Sequence, residues 1–169
     1  GGDIPWINVT DAGLHHGGRI SETTHYTNKL GISNSAAVVL PKNTVCLSRD
    51  IKVGYVVILD EEMATTQHFI NWICSDAILP EWLQLCLMLE GENLGRFGTG
   101  TILTTIYFPE ALSFHITLPP IDEQRRIIKK VTSLLNSIRG VESNLNNSLQ
   151  LKEVFRYSIL AHYFQHSEA

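Results

Sequence analysis

From Ile127 onward the chain repeats apolar residues at spacings that one long helix satisfies and no strand can. They are Ile127, Val131, Leu134, Ile138, Val141 and Leu145, at gaps of 4, 3, 4, 3 and 4. That is the heptad seam of a helix that packs on another helix. Pro119 and Pro120 precede Ile121-Asp122-Glu123-Gln124. Proline suits the first helical position and acids suit the positive end, so Pro120 is expected to open the element. Ile128, Leu135 and Leu149 form a second stripe, so the apolar face is wider than a two-helix seam requires. Past Leu145 the seam falters at Ser148 and Lys152, and Leu151, Phe155 and Ile159 continue at gaps of four. A helix from 121 to about 160 would be about 60 Å long at 1.5 Å per residue. The preceding domain cannot cover both ends of such a rod, so the helix needs a neighbour outside it. Gly140 costs such a helix about 1 kcal/mol relative to alanine, a cost that close approach by another chain would explain.

The residues before the helix read as α+β. Short β-rich runs at 36–40, 44–48, 55–59, 69–74, 102–108 and 113–118 are punctuated by turn residues such as Pro41-Lys42-Asn43. Six such strands predict a small curled or barrel-like sheet. A helix is expected after Pro80, with Glu81 at its positive end and apolar residues from Trp82 to Leu89. A helical turn is expected near 24–30. Four glycines among residues 91–101 mark a loop. The chain thus divides into a domain at 1–118 and a long helix at 119–164.

Several function classes are excluded or disfavoured. The net charge of -4 argues against indiscriminate nucleic-acid binding. The charge is uneven: residues 1–60 hold five acids and five bases, 61–120 hold seven acids and only Arg96, and 121–169 hold five acids and seven bases. Any DNA face is therefore a local patch from the first sixty residues plus Arg96. Cys46, Cys74 and Cys86 are isolated in apolar surroundings and read as buried, reduced thiols of a cytoplasmic protein. The longest apolar runs are far too short to span a membrane. No Gly-x-Ser-x-Gly, Cys–His pair, paired carboxylates or methyltransferase Pro-Pro-aromatic motif stands out, and no cofactor or metal is implied. Trp6, Trp72 and Trp82 read as core anchors.

Six segments in order resemble a target-recognition domain of Type I restriction-modification specificity subunits. Gly2-Asp3-Ile4-Pro5-Trp6-Ile7 with Asp11 is similar to that family's opening, and Ser48-Arg49-Asp50 with Gly54 resembles its Ser-Arg…Gly segment. Ala64-Thr65-Thr66-Gln67-His68-Phe69 resembles its Ala-Thr-Asn-Gln-x-Phe segment, with Thr66 where Asn is usual. Gly98-Thr99-Gly100-Thr101 stands where the family has a Gly-Thr-rich loop. Leu118-Pro119-Pro120-Ile121-Asp122-Glu123-Gln124 is similar to the family's most specific signature, and Tyr157-Ser158-Ile159-Leu160 to the end of its conserved helix. The resemblance implies a non-catalytic subunit with two recognition domains, each reading half of a split double-stranded DNA site, spaced by two antiparallel helices. It implies methyltransferase (modification) subunits as partners and, through them, a restriction subunit, in the prokaryotic cytoplasm. Only one recognition domain and one helix are present, so a second half, or a second copy, is expected on the helix through Ile127, Val131, Leu134, Ile138, Val141 and Leu145.

Within this frame some residues could carry recognition. In His15-His16-Gly17-Gly18-Arg19, Arg19 could take guanine bidentately beside His16, with glycines allowing close approach to phosphate. An ordinary surface turn fits equally. Lys29, Lys42, Arg49 and Lys52 punctuate strand edges. Arg49 stands out through its family-like motif, with Asp50 placed to hold or neutralise it. Thr66 and Gln67 open a polar run that could read adenine or could fix strand register. Arg96, Thr99 and Thr101 could cradle a phosphate through backbone N–H groups or form a plain loop; Gly-Lys-Ser/Thr is missing, so this is no nucleotide P-loop. Two other readings stay open: the specificity part of a single-chain restriction-methyltransferase, and a coiled-coil adaptor whose sheet domain binds protein, which the acid excess at 61–120 favours.

Overall fold

The computed structural model describes residues 2–91 and 105–165. Along the chain come β1 (Ile4–Trp6), α1 (Val9–Leu14), β2 (Arg19–Ile20), β3 (His25–Thr27), α2 (Lys29–Ser33), β4 (Val38–Leu40) and β5 (Thr44–Ser48). Then follow β6 (Val56–Leu59), β7 (Met63–Thr65), β8 (Phe69–Ile73), α3 (Pro80–Gly91), α4 (Phe108–Leu112) and α5 (Ile121–Gln165). The chain divides into two compact units, residues 1–128 and 129–169.

The strands form two open sheets, ordered β3-β1-β7-β4 and β2-β6-β5-β8. Neither closes, which corrects the barrel-like expectation. Each sheet mixes directions: β1 runs parallel to β7 and β2 parallel to β6, and the other pairs are antiparallel. The edge strands, β3 and β4 of one sheet and β2 and β8 of the other, pair with no further strand among the described residues, so neither ladder closes on itself.

The second sheet is buried on both faces. Val45 and Leu47 of β5 and Val56 and Ile58 of β6 pack with Ile70, Leu83, Leu87, Ile106 and Ala111. The alternate residues Cys46, Val57 and Leu59 pack with Ile7, Ala12, Ile20, Leu40, Met63 and Phe69. Strict alternation of side chains along each strand produces this division. It also explains why β6 is a continuous apolar run in the sequence. Burial pushes all three thiols up; Cys46 is fully buried, and Cys74 and Cys86 are half-buried.

Local signals set the helix ends. Asn8 caps α1, its Oδ1 accepting from Asp11 N–H at 2.9 Å while Asp11 accepts from Asn8 N–H, a reciprocal capping box. Asn28 Oδ1 accepts from Gly31 N–H at 2.9 Å and starts α2. The turn expected near 24–30 is therefore a strand followed by this later helix. Pro120 lies one residue before α5 rather than at its first position, and its carbonyl accepts from the N–H groups of Glu123 and Gln124.

Two expected strands do not form over the described residues, and 102–104 of the first lie outside them. Residues 105–107 are irregular, and Phe108 begins α4 with Pro109 in its first turn; proline there favours helix and cannot donate to a ladder. Residues 113–118 pair with no strand among the described residues. No described helix is long and apolar enough to cross a membrane.

Candidate nucleic-acid interface

The segment His15–Arg19 is stitched into the domain. Val56 N–H donates to His16 Nδ1 at 3.0 Å, and the His16 ring lies 5.6 Å from that of Tyr55. Gly17 N–H donates to Val56 O, and Gly18 O accepts from Ile58 N–H and from the Gln84 amide. Gly17 has φ of 73°, and a Cβ there would sit 2.9 Å from Met88 Cε, so its glycine serves both turn and packing. Arg19 donates to Asn43 Oδ1 at 3.0 Å, to Asp60 Oδ1 at 3.1 Å and to Glu81 Oε1 at 2.7 Å. These three bonds join the ends of β2, β5, β6 and α3. Lys42 shares Asp60 at 3.6 Å.

A second group converges where the chain passes from the first sheet to the second. Thr66 O accepts from Phe69 N–H at 3.2 Å, closing a turn with Gln67 exposed at its tip. Asn71 donates to Thr65 Oγ1 at 3.1 Å across the two strands that flank this turn. The turn carries the chain from one sheet to the other, and it presents Thr66, Gln67 and His68 to a cleft of ≈ 540 Å³ shared with Trp6, Thr27, Gly31 and residues 35–37. Trp6 is 37% exposed there and meets the His25 ring edge-on, so it is no core anchor. Trp72 packs against the core, and Trp82 donates to Thr117 O at 3.1 Å. Lys29 is exposed at the first position of α2, two residues from the cleft-lining Gly31.

Behind this turn lies Arg49. Asp50 does not hold it: Asp50 Oδ1 is 2.7 Å from His68 Nδ1. The Arg49 guanidinium instead lies 5.3 Å from the Phe108 ring centroid and 5.9 Å from that of Tyr107. The sequence reading missed this stack, because Tyr107 and Phe108 were expected to end a strand, whereas Phe108 starts α4. It also missed His68, whose only signal was its place beside Gln67. Arg96, Thr99 and Thr101 lie outside the described residues. Among the described residues, no group of three or more His, Cys, Asp or Glu could hold a metal ion.

The helix meets the domain through Gln124, which is fully buried. Its Oε1 accepts from Leu79 N–H at 2.9 Å, and its amide donates to Ala77 O at 2.9 Å and Pro119 O at 2.8 Å. The sequence motif contained this residue without revealing its partners. Farther along, Ile127 and Val131 are half-buried, and Leu134, Ile138, Val141 and Leu145 are more than half exposed.

Comparison with known proteins places this architecture. Residues 1–151 match the family described as Type I restriction modification DNA specificity domain. The specificity subunit of the Type I restriction enzyme MjaIX from Methanocaldococcus jannaschii is 26% identical over 129 residues, covering 75% of this chain and 30% of that protein. In fold, the chain is similar to the HsdS subunit from Thermoanaerobacter tengcongensis, with a TM-score of 0.64 and 18% identity over 83% of this chain and 32% of the other. It is also similar to a chain from a structure of complex assembly and conformational transition of the type I R-M system. That TM-score is 0.67, at 17% identity over 91% of this chain and 36% of the other. The chain spans about a third of the length of these relatives. With the match running from the first sheet well into the long helix, this chain belongs to the Type I restriction-modification DNA specificity domain family.

Proposed function

We propose that this chain is a sequence-reading DNA module of a Type I restriction-modification system. The observation that carries the reading is the family match over residues 1–151, which takes in the sheets, the turn at 66–68 and most of α5. In this reading residues 1–118 form the recognition domain and 119–164 the spacer helix. The domain reads one half of a bipartite double-stranded site, and the helix pairs with a second copy or a second half. Methyltransferase subunits, and through them a restriction subunit, supply the chemistry; the module has no catalysis of its own and works in the prokaryotic cytoplasm.

The proposed DNA contacts are His16, Arg19, Lys29, Arg49, Thr66, Gln67, Arg96, Thr99 and Thr101. Geometry favours Thr66 and Gln67 for base contact, because they are presented at a turn tip beside the cleft. Arg19 would have to leave Asp60 and Glu81 to touch DNA. The helix contacts are Ile127, Val131, Leu134, Ile138, Val141 and Leu145, an apolar row that needs covering.

The test is to assemble the chain with its modification subunits and select duplexes from a randomised library. The expected result is enrichment of one short motif, and Gln67→Ala should relax the preference at one base by roughly 1–3 kcal/mol. No sequence preference in the assembled complex would overturn the reading. An adaptor whose sheet domain binds protein would also keep its binding after Arg19, Arg49 and Arg96 are replaced by Ala.

A further inference from the structure

Arg49 follows the last residue of β5 in an arrangement that a solvated surface arginine does not need. Its guanidinium lies within cation–π range of two rings, Phe108 and Tyr107. Its Nε is buried and has no hydrogen-bond partner among the described residues. Among the described residues it makes no ion pair. The neighbouring carboxylate, Asp50, is taken by His68 at 2.7 Å. A guanidinium stays protonated throughout the working range of a protein. Half-buried and unpaired, it costs free energy until an anion from outside completes it.

The surroundings hold this geometry. Arg49 N–H donates to His68 O at 2.9 Å, and Arg49 O accepts from Ile106 N–H at 2.8 Å. The backbone is therefore anchored to the turn that carries Gln67 and to the segment that carries the two rings. Two residues on, Ile51 has φ of 58°, which β-branched residues rarely adopt. The loop keeps that shape despite its cost.

We infer that Arg49 is a phosphodiester clamp. The two rings orient the guanidinium, and the His68–Asp50 pair keeps the adjacent carboxylate from neutralising it. A backbone phosphate of bound DNA completes the site. The inference rests on the reading of the chain as a DNA module. A phosphate is favoured over a base edge because the side chain is half-buried and laid against ring faces. It cannot extend into a groove about 8.5 Å deep. A phosphate projects outward and accepts a guanidinium from many directions. His68 is a positioning residue here, acting only through Asp50.

The experiment uses the full chain assembled with its modification subunits and two probes, a duplex selected from a randomised library and an unrelated duplex of equal length. Affinity for each is measured across a salt series. Arg49→Ala should weaken both duplexes by a similar factor, about tenfold at low salt. It should lower the slope of log affinity against log salt by about one. His68→Ala frees Asp50 to pair with Arg49 and should give a similar loss. Adding Asp50→Asn to His68→Ala should restore binding, which a merely structural role for His68 would not allow. Thermal melts show whether each variant is folded. A loss confined to the selected duplex with an unchanged slope would make Arg49 a base reader and overturn the clamp; so would unchanged binding by folded Arg49→Ala. Wild-type binding by His68→Ala, or failure of the Asp50→Asn rescue, would overturn the shielding role. If the wild-type assembly binds neither duplex, the DNA reading itself fails.

Discussion

At the scale of single residues, neighbours in sequence are poor guides to partners. Arg49 and Asp50 are adjacent and opposite in charge, which suggests an ion pair. The chain bends just past β5, and Asp50 bonds His68, eighteen positions away, while Arg49 turns to two rings of a later segment. Gln124 makes the same point at the start of α5. Every polar atom of its amide is used, by backbone groups of Ala77, Leu79 and Pro119. Gln124→Ala would leave one buried N–H and two carbonyls without this partner. Leaving buried polar groups unsatisfied costs about 1–3 kcal/mol each at most, so a total loss of roughly 3 kcal/mol is expected. For a unit of this size the melting temperature should fall by roughly 10 °C. Gln124→Glu should fare no better, because a carboxylate cannot donate to the two carbonyls. Calorimetry of the three proteins checks this.

At the scale of elements, legibility followed length. The 45 residues of α5 were plain from period and proline placement, and the 12 of α3 from Pro80, Glu81 and the apolar run after them. β5 was recovered end to end, and β4, β6 and β8 to within one or two residues. β1, β2, β3 and β7 have two or three residues each, too few to show an alternation. In α5 the seam spacing puts Val131, Ile138 and Leu145 at a, and Leu134 and Val141 at d. The second stripe, Ile128, Leu135 and Leu149, then falls at e, interrupted by Glu142. Gly140 falls at c, away from the seam, and a Cβ there meets nothing within 4 Å. Close approach at the seam does not require it. Gly140→Ala should therefore stabilise the helix by about 1 kcal/mol and leave association unchanged. Ile138→Lys with Leu145→Lys should abolish helix pairing, because each charge would be buried in the seam. Sedimentation and thermal melts of the three chains test both expectations.

At the scale of the whole molecule, the acidic balance is compatible with the proposed DNA-reading role through local pairing. Of the five bases in residues 1–60, Arg19 and Lys42 are spent on Asp60 and Glu81. Lys29, Arg49 and Lys52 make no ion pair among the described residues. Few free bases mean a small phosphate contribution, so in the proposed reading the joining of two modules supplies useful affinity by raising effective concentration. Both core clusters lie within residues 1–128. A chain ending at Ile128 should therefore still melt cooperatively, but as a monomer with weakened DNA binding. Calorimetry, sedimentation and duplex titration beside the full chain would show this. A shorter chain that still self-associates would place the contact in the sheet domain.

The sequence by itself determined the α+β class, the long helix, its apolar seam and the family. These rest on local chemistry: proline and acids at a helix start, a 3.5-residue period, and short motifs in a fixed order. Only the tertiary structure decided that the strands divide into two open sheets, that Arg19 braces four elements, and that Arg49 sits on two rings while Asp50 is held elsewhere. Those outcomes depend on which distant segments meet. Burial, close packing and hydrogen bonds across tens of residues decide that, and none of them leaves a period or a motif along the chain.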